Sequence, residues 1–187
     1  MATSGELTMT MDPAAERIAR FRALVEEQRE RAVRLAWRLT GGDRAAAEDV
    51  TQDALVAAYR ALPRFRDEAR LATWFYRILV RQAHSYRRWQ RVREAWRAAA
   101  THAPTAPPVA VGVADPDLRQ RIAAALGRLP QSQRDCFLLV HGEGFTVREV
   151  AVIVGKAEGM VKSHLHRALT RLRADLDDLR GFEERGG

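Results

Sequence analysis

Apolar residues recur every three to four positions through most of the chain, and no segment alternates convincingly at a spacing of two. Ile18, Phe21, Val25, Ala32, Leu35 and Leu39 form the first stripe, interrupted at Gln28 and stopped by Gly41 and Gly42. A second helix is expected from about Arg44, with Ala47, Val50, Ala54, Ala58 and Leu62 inward and Pro63 ending it. A third begins near Ala72 and runs to about Arg97. Further on, Leu118, Ile122, Leu126 and Leu129 mark a helix closed by Pro130. Ser132 is placed to cap the next one, which turns Phe137 and Val140 inward and ends at the segment HGEGF. TVRE, residues 146–149, has the capping-box pattern, a hydroxyl with a carboxylate three positions on. Val147, Val150, Ala151 and Val154 continue it as a buried stripe, and Gly155 stops it. The last helix runs from about Ala157 to Leu179, with Val161, Leu165, Ala168, Leu172 and Leu176 on one face. The pattern predicts an all-α protein.

The helical pattern breaks once for long. Residues 98–116, AAATHAPTAPPVAVGVADP, hold four of the seven prolines, a single acid, and neither lysine nor arginine. Such a segment is too proline-rich to continue a helix and reads as a flexible linker, reaching at most roughly 60 Å when extended. The expected organisation is a flexible N-terminus over 1–15 and a first small helical domain over 16–97. The linker over 98–116, a second small helical domain over 117–179 and a tail over 180–187 complete it.

Charge sharpens this picture. The 187 residues carry a formal charge of +7 and a pI near 10.6, which points to a polyanionic partner. Between 64 and 97 stand ten arginines against Asp67, Glu68 and Glu94, while the rest of the chain balances. The same stretch carries Phe65, Trp74, Phe75, Tyr76, Tyr86, Trp89 and Trp96. Cations interleaved with aromatics suit a single-stranded nucleic acid, whose phosphates need charge and whose bases need stacking partners. The competing reading is a basic amphipathic helix whose aromatics face a core. Trp37 and Trp74 fit a core better, whereas Tyr76, Tyr86 and Trp89 are candidates for the nucleic-acid face.

Other chemistry is thin. The single cysteine, Cys136, excludes an internal disulfide and a cysteine-based zinc cluster, and beside Phe137 and Leu138 it reads as a partly buried structural thiol. A reducing cytoplasm fits it. The N-terminus lacks the basic and apolar regions of a signal peptide, and no apolar run is long enough for a membrane span. His164 and His166, two apart on a helix, point away from each other and cannot share a metal ion. No paired carboxylates, Ser/His/Asp set or glycine-rich phosphate loop supports an enzyme, and no cofactor is expected.

The last two helices, a short one and a longer one joined by a glycine-containing turn, match a helix-turn-helix unit. Opposite its apolar stripe the longer helix presents Gly159, Met160, Lys162, Ser163, His166, Arg167 and Thr170. These are groove-compatible types: cations for phosphates and guanine, a hydroxyl, an imidazole, and small residues that permit close approach. A solvated face on an ordinary helical hairpin would look the same.

Two motifs together carry a resemblance. EGMVKSHLHRALTRLR resembles the second helix of the C-terminal promoter-binding domain of bacterial RNA polymerase sigma factors. AAAEDVTQDALVAAYRALPRFR followed by TWFYRI resembles their N-terminal helical domain. Their order and the short proline-rich join are similar to the compact extracytoplasmic-function group, over roughly 20–176. The resemblance implies that Glu48, Asp49, Gln52 and Asp53 face the clamp helices of the polymerase largest subunit, with the flap as a second contact. It implies that the segment holding Phe65, Arg66, Arg70, Arg77, Arg81, Tyr86, Arg88 and Trp89 captures the single-stranded −10 element. Gly159, Met160, Lys162, Ser163, His164, His166 and Arg167 would read the duplex −35 element. It also implies an anti-sigma partner, a cytoplasmic, nucleoid-associated location, and no bond made or broken by the subunit itself.

The chain departs from the family's usual residues in several places. Asp67-Glu68 stands where Gly-Asp is frequent, and Arg81 where asparagine is frequent. Lys156, Ala157, Met160 and His164 replace the commoner apolar residue, serine, threonine and arginine. A regulator acting without polymerase, or a sigma-mimicking decoy for an anti-sigma protein, are the rival readings. The first leaves the N-terminal domain without a task, and the second has little need of the arginine-aromatic stretch.

Overall fold

The computed structural model describes residues 12–67, 69–98 and 116–177. Glu68, most of the linker, the first eleven residues and the tail lie outside them. Among the described residues seven α-helices follow one another with no strand: α1 Pro13–Thr40, α2 Arg44–Ala61, α3 Leu71–Ala98, α4 Pro116–Arg128, α5 Gln131–Phe137, α6 Val147–Val154 and α7 Glu158–Asp175. A 3-10 turn, Leu62–Arg64, follows α2, and a π-helical turn, Leu138–Gly142, continues α5.

The ends follow from local chemistry. Asp12 caps α1 and Asp43 caps α2, each accepting a backbone N–H near the helix start. Gly41 ends α1 with φ 91°, a left-handed conformation that glycine adopts without Cβ strain. Thr146 and Glu149 close both halves of the capping box that starts α6. Ser132, by contrast, is not a cap. Pro130 takes that position with no side-chain acceptor, so α5 starts two residues earlier than a Ser132 cap requires.

Helices α1, α2 and α3 pack on one another around Phe21, Leu35, Leu39, Val50, Ala54, Ala58, Phe75 and Leu79. Alanine at the crossing points permits close helix approach, and the long leucines fill the space left over. This core does not stop at the linker. Cys136, Leu139, Phe145, Val150, Ala151, Ile153, Val161 and Leu165 belong to the same buried cluster, because α6 packs directly on α3. A smaller cluster joins α4 to α7 through Leu126, Leu129, Ala168 and Leu172.

Burial on α5 differs from the expectation that Phe137 and Val140 point inward. Both are only partly buried, whereas Gln133, Arg134, Asp135 and Cys136 are buried. The reason is that α5 is enclosed on two sides, by α7 and by the α1–α3 unit, so a single apolar stripe does not describe it. No helix among the described residues is long and apolar enough to cross a membrane.

Candidate nucleic-acid interface

Helix α7 begins after Gly155 turns the chain with φ 67°. Its N-cap is Ala157, which offers no side-chain acceptor to the free N–H groups of the first turn. Val161, Leu165, Ala168 and Leu172 are buried against the neighbouring helices. On the opposite side Gly159, Met160, Lys162, His166 and Arg167 are exposed. Ser163 and His164 sit half-buried at the boundary, and Nδ1 of His164 is buried without a hydrogen-bond partner. Of the seven residues expected to read duplex DNA, five therefore share the open face and two flank it.

The arginine-aromatic stretch divides between two environments. Arg77, Arg81 and Arg88 lie four and seven positions apart, so they line one exposed face of α3, with Trp89 beside them. Arg66 and Arg70, before the helix, are exposed as well. Arg93 stacks over the Trp89 ring at 4.5 Å from its centroid, leaving the ring more than half exposed. Tyr86 is half-buried, with its hydroxyl accepting from Gln90.

Two aromatics are less accessible than a stacking role needs. Phe65 is buried, its ring centroid 5.0 Å from that of Trp74. Tyr76, read from sequence as a candidate for the nucleic-acid face, is fully buried, and its phenol donates to Gln28 at 3.0 Å. That bond also explains the polar interruption of the first apolar stripe. Burial pushes the Tyr76 hydroxyl pKa up to about 12. Trp37 and Trp74 pack against the core as expected. Cys136 is more buried than expected, and desolvation raises its thiol pKa to about 11, so it is no ready nucleophile.

On α2, Ala47, Val50, Thr51 and Ala54 turn inward, which leaves Glu48, Asp49, Gln52 and Asp53 exposed together. Arg44 pairs with Glu48 at 3.0 Å. Between this acidic edge and α1 runs an open groove with Val25, Val33, Trp37 and Leu55 in its lining. Arg29, Arg34 and Arg44 line it together with Glu30, Glu48 and Asp49, so both signs of charge border its apolar floor.

Several residues gained a role that the sequence did not announce. Asp67 adopts φ 54°, a left-handed conformation, and pairs with Arg20 at 2.8 Å. Aspartate is among the few residues other than glycine that tolerate this conformation. Glu143 receives Arg31 at 3.0 Å and Arg38 at 2.8 Å, and His84 meets Asp135 at 2.7 Å. None of these pairs is close in sequence. Among the described residues no three histidine, cysteine or acidic side chains converge on a metal-sized site.

Comparison with known proteins bears on both surfaces. The chain matches the family models for sigma-70 region 2 over residues 24–93 and sigma-70 region 4 over residues 119–172. It is 35% identical to the ECF RNA polymerase sigma factor SigM of Mycobacterium tuberculosis, covering 85% of this chain and 78% of that protein. It is 34% identical to SigL of the same organism, covering 89% and 94%. Its fold is similar to the sigma factor RpoE from Bartonella quintana, solved with the anti-sigma factor NepR, with TM-score 0.70, 27% identity, and 84% and 97% coverage. CnrH, solved with the cytosolic domain of CnrY, matches with TM-score 0.65, 25% identity, and 88% and 95% coverage.

Proposed function

Because this chain belongs to the extracytoplasmic-function sigma factors of bacterial RNA polymerase, we propose that it selects promoters through two separate surfaces, α7 for the −35 duplex and the outer face of α3 for the melted −10 strand. Directing polymerase to initiate transcription is what the family does, and the subunit itself catalyses no reaction. The observation that carries the finer reading is the split of α7 into a buried apolar side and an open side bearing Met160, Lys162, His166 and Arg167.

The two surfaces suit different forms of DNA. Duplex sequence is read by side chains entering the major groove, where Arg167 can pair with guanine and Lys162 with phosphate. A displaced strand needs cations along its backbone and a ring for an unstacked base. Arg66, Arg70, Arg77, Arg81 and Arg88 supply the first, and Trp89 the second. Phe65 and Tyr86 support that face from within, by packing and by hydrogen bonding. The exposed Glu48, Asp49, Gln52 and Asp53 face the clamp helices of the polymerase largest subunit, and the helix-turn-helix unit meets the flap. RpoE was solved with the anti-sigma factor NepR, and that likeness supports an anti-sigma partner for this chain as well.

The test is transcription with purified core polymerase on a library of promoters, followed by mapping of the start sites. The expected result is initiation confined to promoters sharing one −35 and one −10 sequence. Core polymerase that ignores the subunit, or initiates without regard to the −35 sequence, would sink the reading. A regulator acting without polymerase would bind duplex DNA yet leave core unable to initiate.

A further inference from the structure

Helices α3 and α5 meet at a buried carboxylate. Asp135 is 2% exposed, and its Oδ2 lies 2.7 Å from Nε2 of His84. One turn beyond His84, on the same face of α3, stands Arg87, and next to Asp135 on α5 stands Arg134. A guanidinium from each helix therefore flanks the His84–Asp135 pair. Arg134 is only 7% exposed. Arg87 Nη1 and Arg134 Nε are buried and make no hydrogen bond, and the same holds for the second carboxylate oxygen, Asp135 Oδ1.

The charges there do not cancel. Arg87 and Arg134 bring two positive charges against the one negative charge of Asp135, and exposed Arg91, a further turn along α3, brings a third. Burial lowers the pKa of both Arg87 and Arg134, nearby Arg134 lowers that of Arg87 further, and Asp135 opposes the shift in each. Guanidinium groups stay protonated even so. A surplus buried charge with an idle donor is costly unless an anion meets it.

We propose that Arg87, Arg134 and Asp135 together bind inorganic phosphate, as the hydrogen phosphate ion. The two guanidiniums supply donors to its unprotonated oxygens, the geometry in which arginine and phosphate pair best. Asp135 chooses among anions. Its free Oδ1 is an acceptor with no proton to give, so it repels any ion that carries acceptors alone. Chloride, sulfate, a phosphodiester and a dianionic phosphate monoester are all of that kind. Hydrogen phosphate keeps an O–H, which donates to Oδ1 while its other oxygens accept from the arginines. His84 holds the opposite carboxylate oxygen and so leaves Oδ1 for the ligand. The His84 side chain is 33% exposed and Arg87 half-buried, so the ion has a way in along α3. None of this depends on the promoter function.

Calorimetric titration of the full chain with inorganic phosphate, at neutral pH and constant ionic strength in chloride, tests the site. The expected result is saturable binding of one ion per chain. Sulfate and a nucleoside monophosphate should each bind at least about tenfold more weakly. Arg87→Gln and Arg134→Gln should each weaken phosphate binding at least about tenfold. Arg60→Gln, at an exposed arginine of α2, removes the same charge and should leave binding unchanged. In Asp135→Asn a side-chain amide can donate where the carboxylate repelled, and sulfate should then bind as well as phosphate. The thermal midpoint of the parent should rise with phosphate, and that of the two arginine variants should not. Helicity is measured in each variant, and half-buried Arg87 decides the matter should Arg134→Gln not fold.

Absence of saturable binding overturns the proposal, as does a loss in Arg60→Gln equal to that in the other two. Sulfate or the nucleoside monophosphate matching phosphate in the parent chain overturns it as well. So does a single-stranded oligonucleotide that displaces phosphate and is itself weakened by Arg87→Gln and Arg134→Gln, which would make the arginines a contact to the DNA backbone.

Discussion

Ala157 stands at a position where the backbone is already extended for a cap, φ −68° and ψ 147°, but has no oxygen to offer. Replacing it by serine gives the first turn of α7 an acceptor, and Ala157→Ser should stabilise the chain by about 1 kcal/mol, read as a rise in thermal midpoint. The resemblance to the sigma family already implied a serine at this cap, so the cost of alanine there was legible in the sequence. The reading face can be divided by substitution. Arg167→Ala should cost about 1–3 kcal/mol on the preferred promoter and relax selectivity at one −35 position, measured by binding to a panel of single-base variants. Lys162→Ala should weaken all of them alike and reduce the salt dependence of binding, as a phosphate contact does. Equal losses for both variants across the panel would make Arg167 a phosphate contact too. Tyr76 was not legible in this way. An aromatic among arginines suits a core or a bound base equally, and only its distant partner Gln28 decides which.

The capping box at the start of α6 shows how far local pattern carries. Thr146 accepts the Glu149 N–H at 3.2 Å, and Glu149 accepts from the Thr146 backbone at 2.9 Å. Both bonds depend only on residues three apart, and TVRE announced them. Thr146→Ala should cost about 0.5–2 kcal/mol in denaturant unfolding. The backbone N–H of Thr146, with smaller help from its hydroxyl and Arg70, lowers the Glu149 pKa from its ordinary 4.5. The folded chain therefore keeps this carboxylate charged where the unfolded one takes a proton. Its contribution is complete above that ordinary value and is lost as pH falls through the lower, folded one. Acid titration of Glu149→Gln should lack that component. The π-helical turn after α5 had no comparable signal. Its i+5 bond, Glu143 N–H to the Leu138 carbonyl at 2.9 Å, inserts one residue and aims Glu143 at α1. That extra residue answers to a contact more than a hundred positions away.

Seven helices follow from periodicity, glycine and proline, although α7 ends at Asp175 and not near Leu179, and a π-helical turn replaces the end of α5. The docking of the two halves does not follow. A stripe such as Val147, Val150, Ala151 and Val154 requires burial without naming what covers it, and α3 supplies the cover. The linker composition suggested independent halves because flexible segments permit separation; they do not forbid contact. Tyr76 makes the consequence measurable, since it sits in the shared core under Phe145. Its hydroxyl ionises at about 12 in the folded chain against an ordinary 10.0, and the Cys136 thiol at about 11 against 9.0. Between these limits the unfolded chain has released protons that the folded chain retains. Stability should therefore be full below about pH 9 and fall as pH rises toward about 12. The tyrosine alone contributes roughly 2–3 kcal/mol of this loss. Tyr76→Phe should lower stability at neutral pH, having lost the bond to Gln28, yet lose less of the remainder between pH 10 and 12. Urea midpoints measured across that range test it. Parallel decline in the parent and the variant would show that Tyr76 is already hydrated, and with it that the two halves are apart.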